Sequence, residues 1–146
     1  MTPHPAMPPI LSVLDDGLAP EAKRTRTPAP QIPAEDHRRL YRTMALARAL
    51  DARLINLQRQ GRITFYVTSI GEEAAHLGCA YALRDEDWLF PSHRDLAALL
   101  WRGLSPADVI HHCMGNSADA CKGRQMPCHY GDRRLKIMSI SSPVGT

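Results

Sequence analysis

Three short stretches of this sequence carry side chains that could do chemistry. The first is Phe90-Pro91-Ser92-His93-Arg94-Asp95, at the junction of a strand-like run and a helix. A guanidinium beside the free amides of a helix start suits a phosphate, because it offers bidentate hydrogen bonds where the helix end already favours negative charge. The same residues also read as an ordinary surface Arg94 paired with Asp95. The second stretch, Lys122-Gly123-Arg124-Gln125-Met126-Pro127-Cys128-His129-Tyr130-Gly131, mixes anchoring charge, apolar contact from Met126 and a titratable imidazole from His129. That mixture fits a binding loop and equally a solvated basic loop. The third, Ser141-Ser142-Pro143-Val144-Gly145-Thr146, gathers hydroxyls and carbonyls around a proline. It suits either a cation that prefers oxygen ligands or a plain helix cap.

Zinc is a competing use for His111, His112, Cys113, Cys121, Cys128 and His129. The spacing argues against it: there is no Cys-x-x-Cys pair, and adjacent histidines on a helix point in different directions. The N-terminus, Met1-Thr2-Pro3-His4-Pro5, lacks the charged and apolar regions of a secretory signal. Reduced thiols in the cytoplasm are therefore expected for all four cysteines, the fourth being Cys79.

The elements that must position these groups follow from periodicity. Leu40, Met44, Ala47, Leu50, Leu54 and Leu57 form one apolar stripe of an amphipathic helix over Glu35–Gln60, stopped by Gly61. Ile63 to Val67 reads as strand or extended loop. A second helix is expected over Glu72–Leu83 with a buried face of small residues, Ala75, Gly78, Cys79 and Ala82. Trp88 to Pro91 should be extended, since the residue before proline avoids the α region. A short helix over Asp95–Arg102 ends at Gly103, and Ser105-Pro106 begins another that runs to about Met114. Gly115 to Arg134 shows little periodicity, the mark of a functional or disordered loop, and Ile137 to Ile140 resumes a strand-like alternation.

Composition sets the outer limits. Prolines crowd residues 1–33, so these are expected to form a disordered arm ahead of one modest folded domain over residues 34–146. The net charge of +3 is too weak to suggest nucleic-acid binding, and no apolar run is long enough to span a membrane.

Five motifs occur in order: Gly61 to Tyr66, Gly71-Glu72-Glu73-Ala74, Phe90 to Asp95, Lys122 to Gly131 and Ile140 to Thr146. Together they resemble the alpha subunit of thiamine-diphosphate-dependent 2-oxo acid dehydrogenases, of the branched-chain type. The resemblance covers about residues 34–146. It implies an α/β class, the N-terminal part of a doubly wound fold that binds thiamine diphosphate, mostly helical with a few short strands in this part. It implies that Arg94 binds the diphosphate with Ser92 and His93 beside it, and that Ser142 and the carbonyl of Val144 touch the cofactor. Ser141, Pro143 and Thr146 would hold a potassium ion. Phe65, Met126 and His129, with His93, would shape the substrate pocket. The implied partners are a beta subunit in an alpha2-beta2 heterotetramer and a lipoyl-bearing transacylase that accepts the acyl group. A non-catalytic remnant or interaction module of the family, or an alpha subunit acting on pyruvate or a related 2-oxo acid, is the competing reading.

Two departures qualify the resemblance. Position 93 is histidine where the family carries tyrosine, which brings a titratable group next to Arg94. The Gly-Asp-Gly motif that holds magnesium on the diphosphate would lie beyond Thr146. Diphosphate without its metal is poorly neutralised, so the chain alone is expected neither to bind the cofactor tightly nor to turn over substrate. It is also expected to be poorly folded or self-associating.

Overall fold

The computed structural model describes residues 30–139. Four helices occur among them: α1 (Ala34–Arg59), α2 (Glu73–Ala82), α3 (Leu96–Trp101) and α4 (Pro106–Met114). The chain divides into two units between Ala34 and Glu35, and the architecture below belongs to the second. Most of the proline-rich arm, and all of Ile140 to Thr146, lie outside the described residues.

The long helix α1 buries Ala47, Leu50, Leu54 and Leu57, the stripe expected from the apolar spacing. Glu35 and Asp36 in its first turn and Arg59 in its last complement the helix dipole. Gly61 follows in the left-handed region, φ +69°, and turns the chain into the irregular segment 62–70. Near its start α1 is tied to the next two helices. Tyr81 donates to Asp36 at 2.9 Å, Tyr81 meets Trp101 edge to face at 5.7 Å, and Arg39 lies 3.8 Å above the Trp101 ring.

Helix α2 packs against α3, but not by the face expected. Ala75, Gly78, Cys79 and Ala82 are exposed, and the buried residues are Glu73, Leu77 and Ala80. Leucine removes far more apolar area from water than any of the four small residues. Glu73 turns inward because Arg48 of α1 meets its carboxylate at 2.8 Å and the Gly71 amide donates to it at 3.0 Å.

Helix α4 begins at a capping box in which Ser105 and Asp108 exchange side-chain and backbone hydrogen bonds, and it ends at Gly115, φ +61°. The expected strand at Ile137 is realised only as single bridges among the described residues. Ile137 pairs with Leu89 in parallel and with Asp132 in antiparallel. A ladder needs a partner at every second residue, and the described residues offer Ile137 one on each side. Thus the described part is mostly helical with isolated bridges. No described helix is long and apolar enough to cross a membrane.

Candidate functional site

Arg94 sits immediately ahead of α3, half exposed, with its Nη1 2.7 Å from Glu72. The pairing with Asp95 that an ordinary surface reading implies is replaced by this one. Asp95 is engaged elsewhere, accepting from the Ser92 amide at 2.7 Å and hydroxyl at 2.9 Å, with His76 Nε2 at 3.0 Å. Ser92 in turn accepts from the Arg94 amide at 3.3 Å. The turn is therefore held from both sides, and one arm of the guanidinium is committed. The other N–H groups remain for an anion.

His93, between them, reaches across to the loop after α4. Its Nε2 lies 3.1 Å from His129 Nε2, a contact between residues 36 apart, with the rings edge to face. The tautomers follow from the neighbours. His129 Nδ1 is 3.1 Å from the carbonyl of Pro127, which can only accept, so that nitrogen carries the hydrogen. In neutral His129, Nε2 is then an acceptor, and His93 Nε2–H is the donor. His129 is almost fully buried and His93 partly so, which leaves His93 as the outward member of the pair.

The loop from Gly115 to Gly131 is pinned by groups buried behind it. His112 of α4 faces the Met126 carbonyl with Nε2 at 3.0 Å and Asp119 with Nδ1 at 3.1 Å. Burial pushes the Asp119 carboxyl up, yet the Gly123 amide and His112 outweigh this and hold it below the usual range. Cys128 accepts from the Val67 amide at 3.4 Å, joining this loop to segment 62–70. Contact with Cys113 and burial push the Cys128 thiol up, and burial does the same to Tyr130, whose hydroxyl is 3.5 Å from Cys113. These groups keep their protons and serve packing. All four cysteines are unbridged.

Of the expected site residues, the structure brings His93 and His129 into contact and sets Ser92 and Arg94 on the same turn as His93. Phe65 and Met126 both expose their side chains, Met126 the more so. Their neighbours Thr64, Gln125 and Pro127 border one cavity of about 210 Å3. Ser141, Ser142, Pro143, Val144 and Thr146 lie outside the described residues. Sequence reasoning missed Asp51, fully buried on α1. It accepts from Tyr66 Oη at 2.7 Å, Thr68 Oγ1 at 2.6 Å and the Ser69 amide at 2.8 Å, and so shapes the segment that carries Phe65. Its signal was available: a carboxylate lying four residues after Ala47 and three before Leu54, inside the apolar stripe.

The dehydrogenase E1 component family matches residues 41–146 of this sequence, and the chain belongs to that family. Among curated proteins it is similar to 2-oxoisovalerate dehydrogenase subunit alpha of Dictyostelium discoideum, 44% identical over 117 residues, 80% of this chain and 26% of that protein. The alpha 1 subunit of Arabidopsis thaliana is 41% identical over 143 residues, 87% of this chain and 30% of its own length. The Bos taurus subunit is 43% identical over 117 residues, 80% of this chain and 26% of its own. All three carry mitochondrial in their names. The chain thus spans between a quarter and a third of the relatives it matches.

Proposed function

We propose that this chain forms part of the alpha subunit of a branched-chain 2-oxo acid dehydrogenase, within a thiamine-diphosphate-binding doubly wound fold. The reaction proposed is oxidative decarboxylation of a branched-chain 2-oxo acid, with the acyl group passed to the lipoyl disulfide of a transacylase. The proposed assembly is an alpha2-beta2 heterotetramer. On the described turn the Arg94 guanidinium keeps N–H groups that fit a diphosphate, while the Ser92 hydroxyl and His93 Nε2–H are given to Asp95 and His129 and brace the turn. Arg94 would hold it there, with Ser92 and His93 beside it in the same pocket, and Ser142 and Val144 are proposed to complete the contact. Magnesium is proposed to be bound by residues outside this sequence, and potassium by Ser141, Pro143 and Thr146.

Thiamine diphosphate, when bound, supplies the carbanion chemistry that breaks the bond to the carboxylate. The chain's own residues bind and orient. Glu72 fixes one arm of Arg94, so that the remaining N–H groups present a set geometry to an anion. His129, with its tautomer set by the Pro127 carbonyl, holds His93 in place beside Arg94. Phe65 and Met126, both exposed, offer apolar surface to a branched side chain. The single observation that carries the reading is the 3.1 Å contact between His93 and His129, which joins the Arg94 turn to the Lys122–Gly131 loop.

The unbridged cysteines suit a reducing compartment. We place this chain in the cytoplasm, unlike the relatives named as mitochondrial, and cell fractionation checks it. The activity is tested on the chain assembled with the rest of an alpha polypeptide and a beta subunit. We expect decarboxylation of 2-oxoisovalerate in preference to pyruvate. Arg94→Ala should weaken cofactor binding roughly 10- to 100-fold, the worth of a charge-assisted hydrogen bond. Preference for pyruvate, or unchanged affinity in Arg94→Ala, would overturn the proposal. The chain by itself should show no tight calorimetric binding of cofactor with magnesium.

A further inference from the structure

We propose that His112, Asp119 and Cys121 form a zinc site that clamps the loop after α4, independent of the cofactor reading above. One imidazole nitrogen, one carboxylate oxygen and the thiol sulfur all lie within 4.8 Å of one another. His112 and Asp119 are buried and Cys121 is half buried, so two ligands are already out of bulk water.

The ligands are oriented by groups that are not themselves ligands. The Met126 carbonyl, 3.0 Å from His112 Nε2, can only accept, so Nε2 carries hydrogen and Nδ1 turns its face to the cluster. A backbone carbonyl on the far ring nitrogen is the usual support of a metal-bound histidine. Asp119 presents Oδ1 to His112 Nδ1 at 3.1 Å, while its Oδ2 is held by the Gly123 amide at 2.9 Å. Bonds of about 2.0–2.1 Å to a tetrahedral zinc set neighbouring N and O ligands about 3.3 Å apart, so this edge is near its final length. Cys121 needs the larger adjustment. Its thiol spans 3.7 Å to the Gly131 carbonyl, a weak contact that the metal bond would replace, and its proton would go to solvent.

The loop itself is closed tightly enough to hold this arrangement. Gly123 runs against Gly115, where a Cβ would lie 2.4 Å from the Gly115 carbonyl oxygen. The mixed N, O and S set selects zinc over magnesium or calcium, which take oxygen. Three protein ligands leave a fourth position for water. The spacing His-x6-Asp-x-Cys contains no close cysteine pair, which is why a search for such pairs passes over it.

The test uses the 146-residue chain in whatever assembly it purifies. It is equilibrated with Co2+ and stripped of excess. The expected result is one tightly held cobalt per chain, displaced by one equivalent of zinc, with tetrahedral visible bands and a thiolate-to-cobalt charge-transfer band. Cys121→Ser should lose the charge-transfer band, and Cys113→Ser should keep it. X-ray absorption of the unsubstituted zinc form should show one sulfur at about 2.3 Å with nitrogen or oxygen scatterers at about 2.0 Å. This measurement decides the matter if the Cys121 variant fails to fold. Absence of retained metal would leave only the buried His112–Asp119 contact and overturn the proposal. So would two sulfur scatterers, or a charge-transfer band that survives in Cys121→Ser.

Discussion

Asp51 shows how one buried carboxylate sets the path of a neighbouring segment. Its carboxylate is fully buried and accepts two hydroxyls and an amide, with the Ser69 hydroxyl at 3.1 Å as a fourth donor. Burial, and then the bond to Asp51, push the Tyr66 phenol well above its ordinary range, so Tyr66 remains a donor at any physiological pH. Asp51→Ala would strand the Tyr66 and Ser69 donors, which are buried, and leave the half-buried Thr68 hydroxyl unpaired with it. Each buried group left unmade costs about 1–3 kcal/mol, so a loss of about 3 kcal/mol or more is expected. Urea unfolding curves of the two proteins check it. A change under 1 kcal/mol would mean that segment 62–70 contributes little to the fold.

At the scale of elements, two glycines should respond in opposite directions. Gly123, at φ +71°, has its missing Cβ blocked by the Gly115 carbonyl, so Gly123→Ala must move backbone and should cost about 2 kcal/mol or more. Gly78 is helical with open space around it, so Gly78→Ala should stabilise the chain by about 0.5–1 kcal/mol. Thermal midpoints of the pair measure both. The contact between α1 and α2 has its own pH signature. Burial raises the Glu73 carboxyl, but its backbone hydrogen bonds and Arg48 prevail and hold it below the usual range. The unfolded chain then binds that proton first, so stability from this pair is present above the ordinary carboxylate range and is lost as pH falls through the depressed folded value. Glu73→Gln should flatten the acid limb of a stability-versus-pH curve.

These elements also show what a sequence carries on its face. The ends of α4 were legible because Ser105, Pro106 and Gly115 act on their own backbone. The buried side of α2 was not, because it is decided by Arg48 and by α3, which lie far along the chain. For the same reason, the turn holding Ser92 to Asp95 was readable as a unit, whereas the choice of Glu72 for Arg94 and of His129 for His93 was not.

At the scale of the whole molecule, the described residues expose many large apolar side chains. Tyr41, Ile70, Phe90 and Met126 are each more than half exposed, and Leu46, Trp88, Met114 and Met138 nearly so. A cavity of about 680 Å3 between α1 and α2 is lined mainly by Tyr41, Met44, Ala45, Ala49, Ala52 and Ala74. Beside it, the small-residue face of α2 is open to solvent. Single exposed apolar residues are ordinary, but patches of this kind mark surfaces that other chains cover. In relatives about three times as long there is more chain to cover them. The isolated chain should therefore self-associate. Its sedimentation coefficient should rise with concentration, and it should bind a hydrophobic dye more strongly than a monomeric domain of equal size. Addition of the proposed remainder of the alpha polypeptide and beta subunit should abolish both effects. A dilute monomer that melts in one cooperative transition, with no dye binding, would show instead that the helices around Leu54, Leu77 and Leu99 are sufficient as a core on their own.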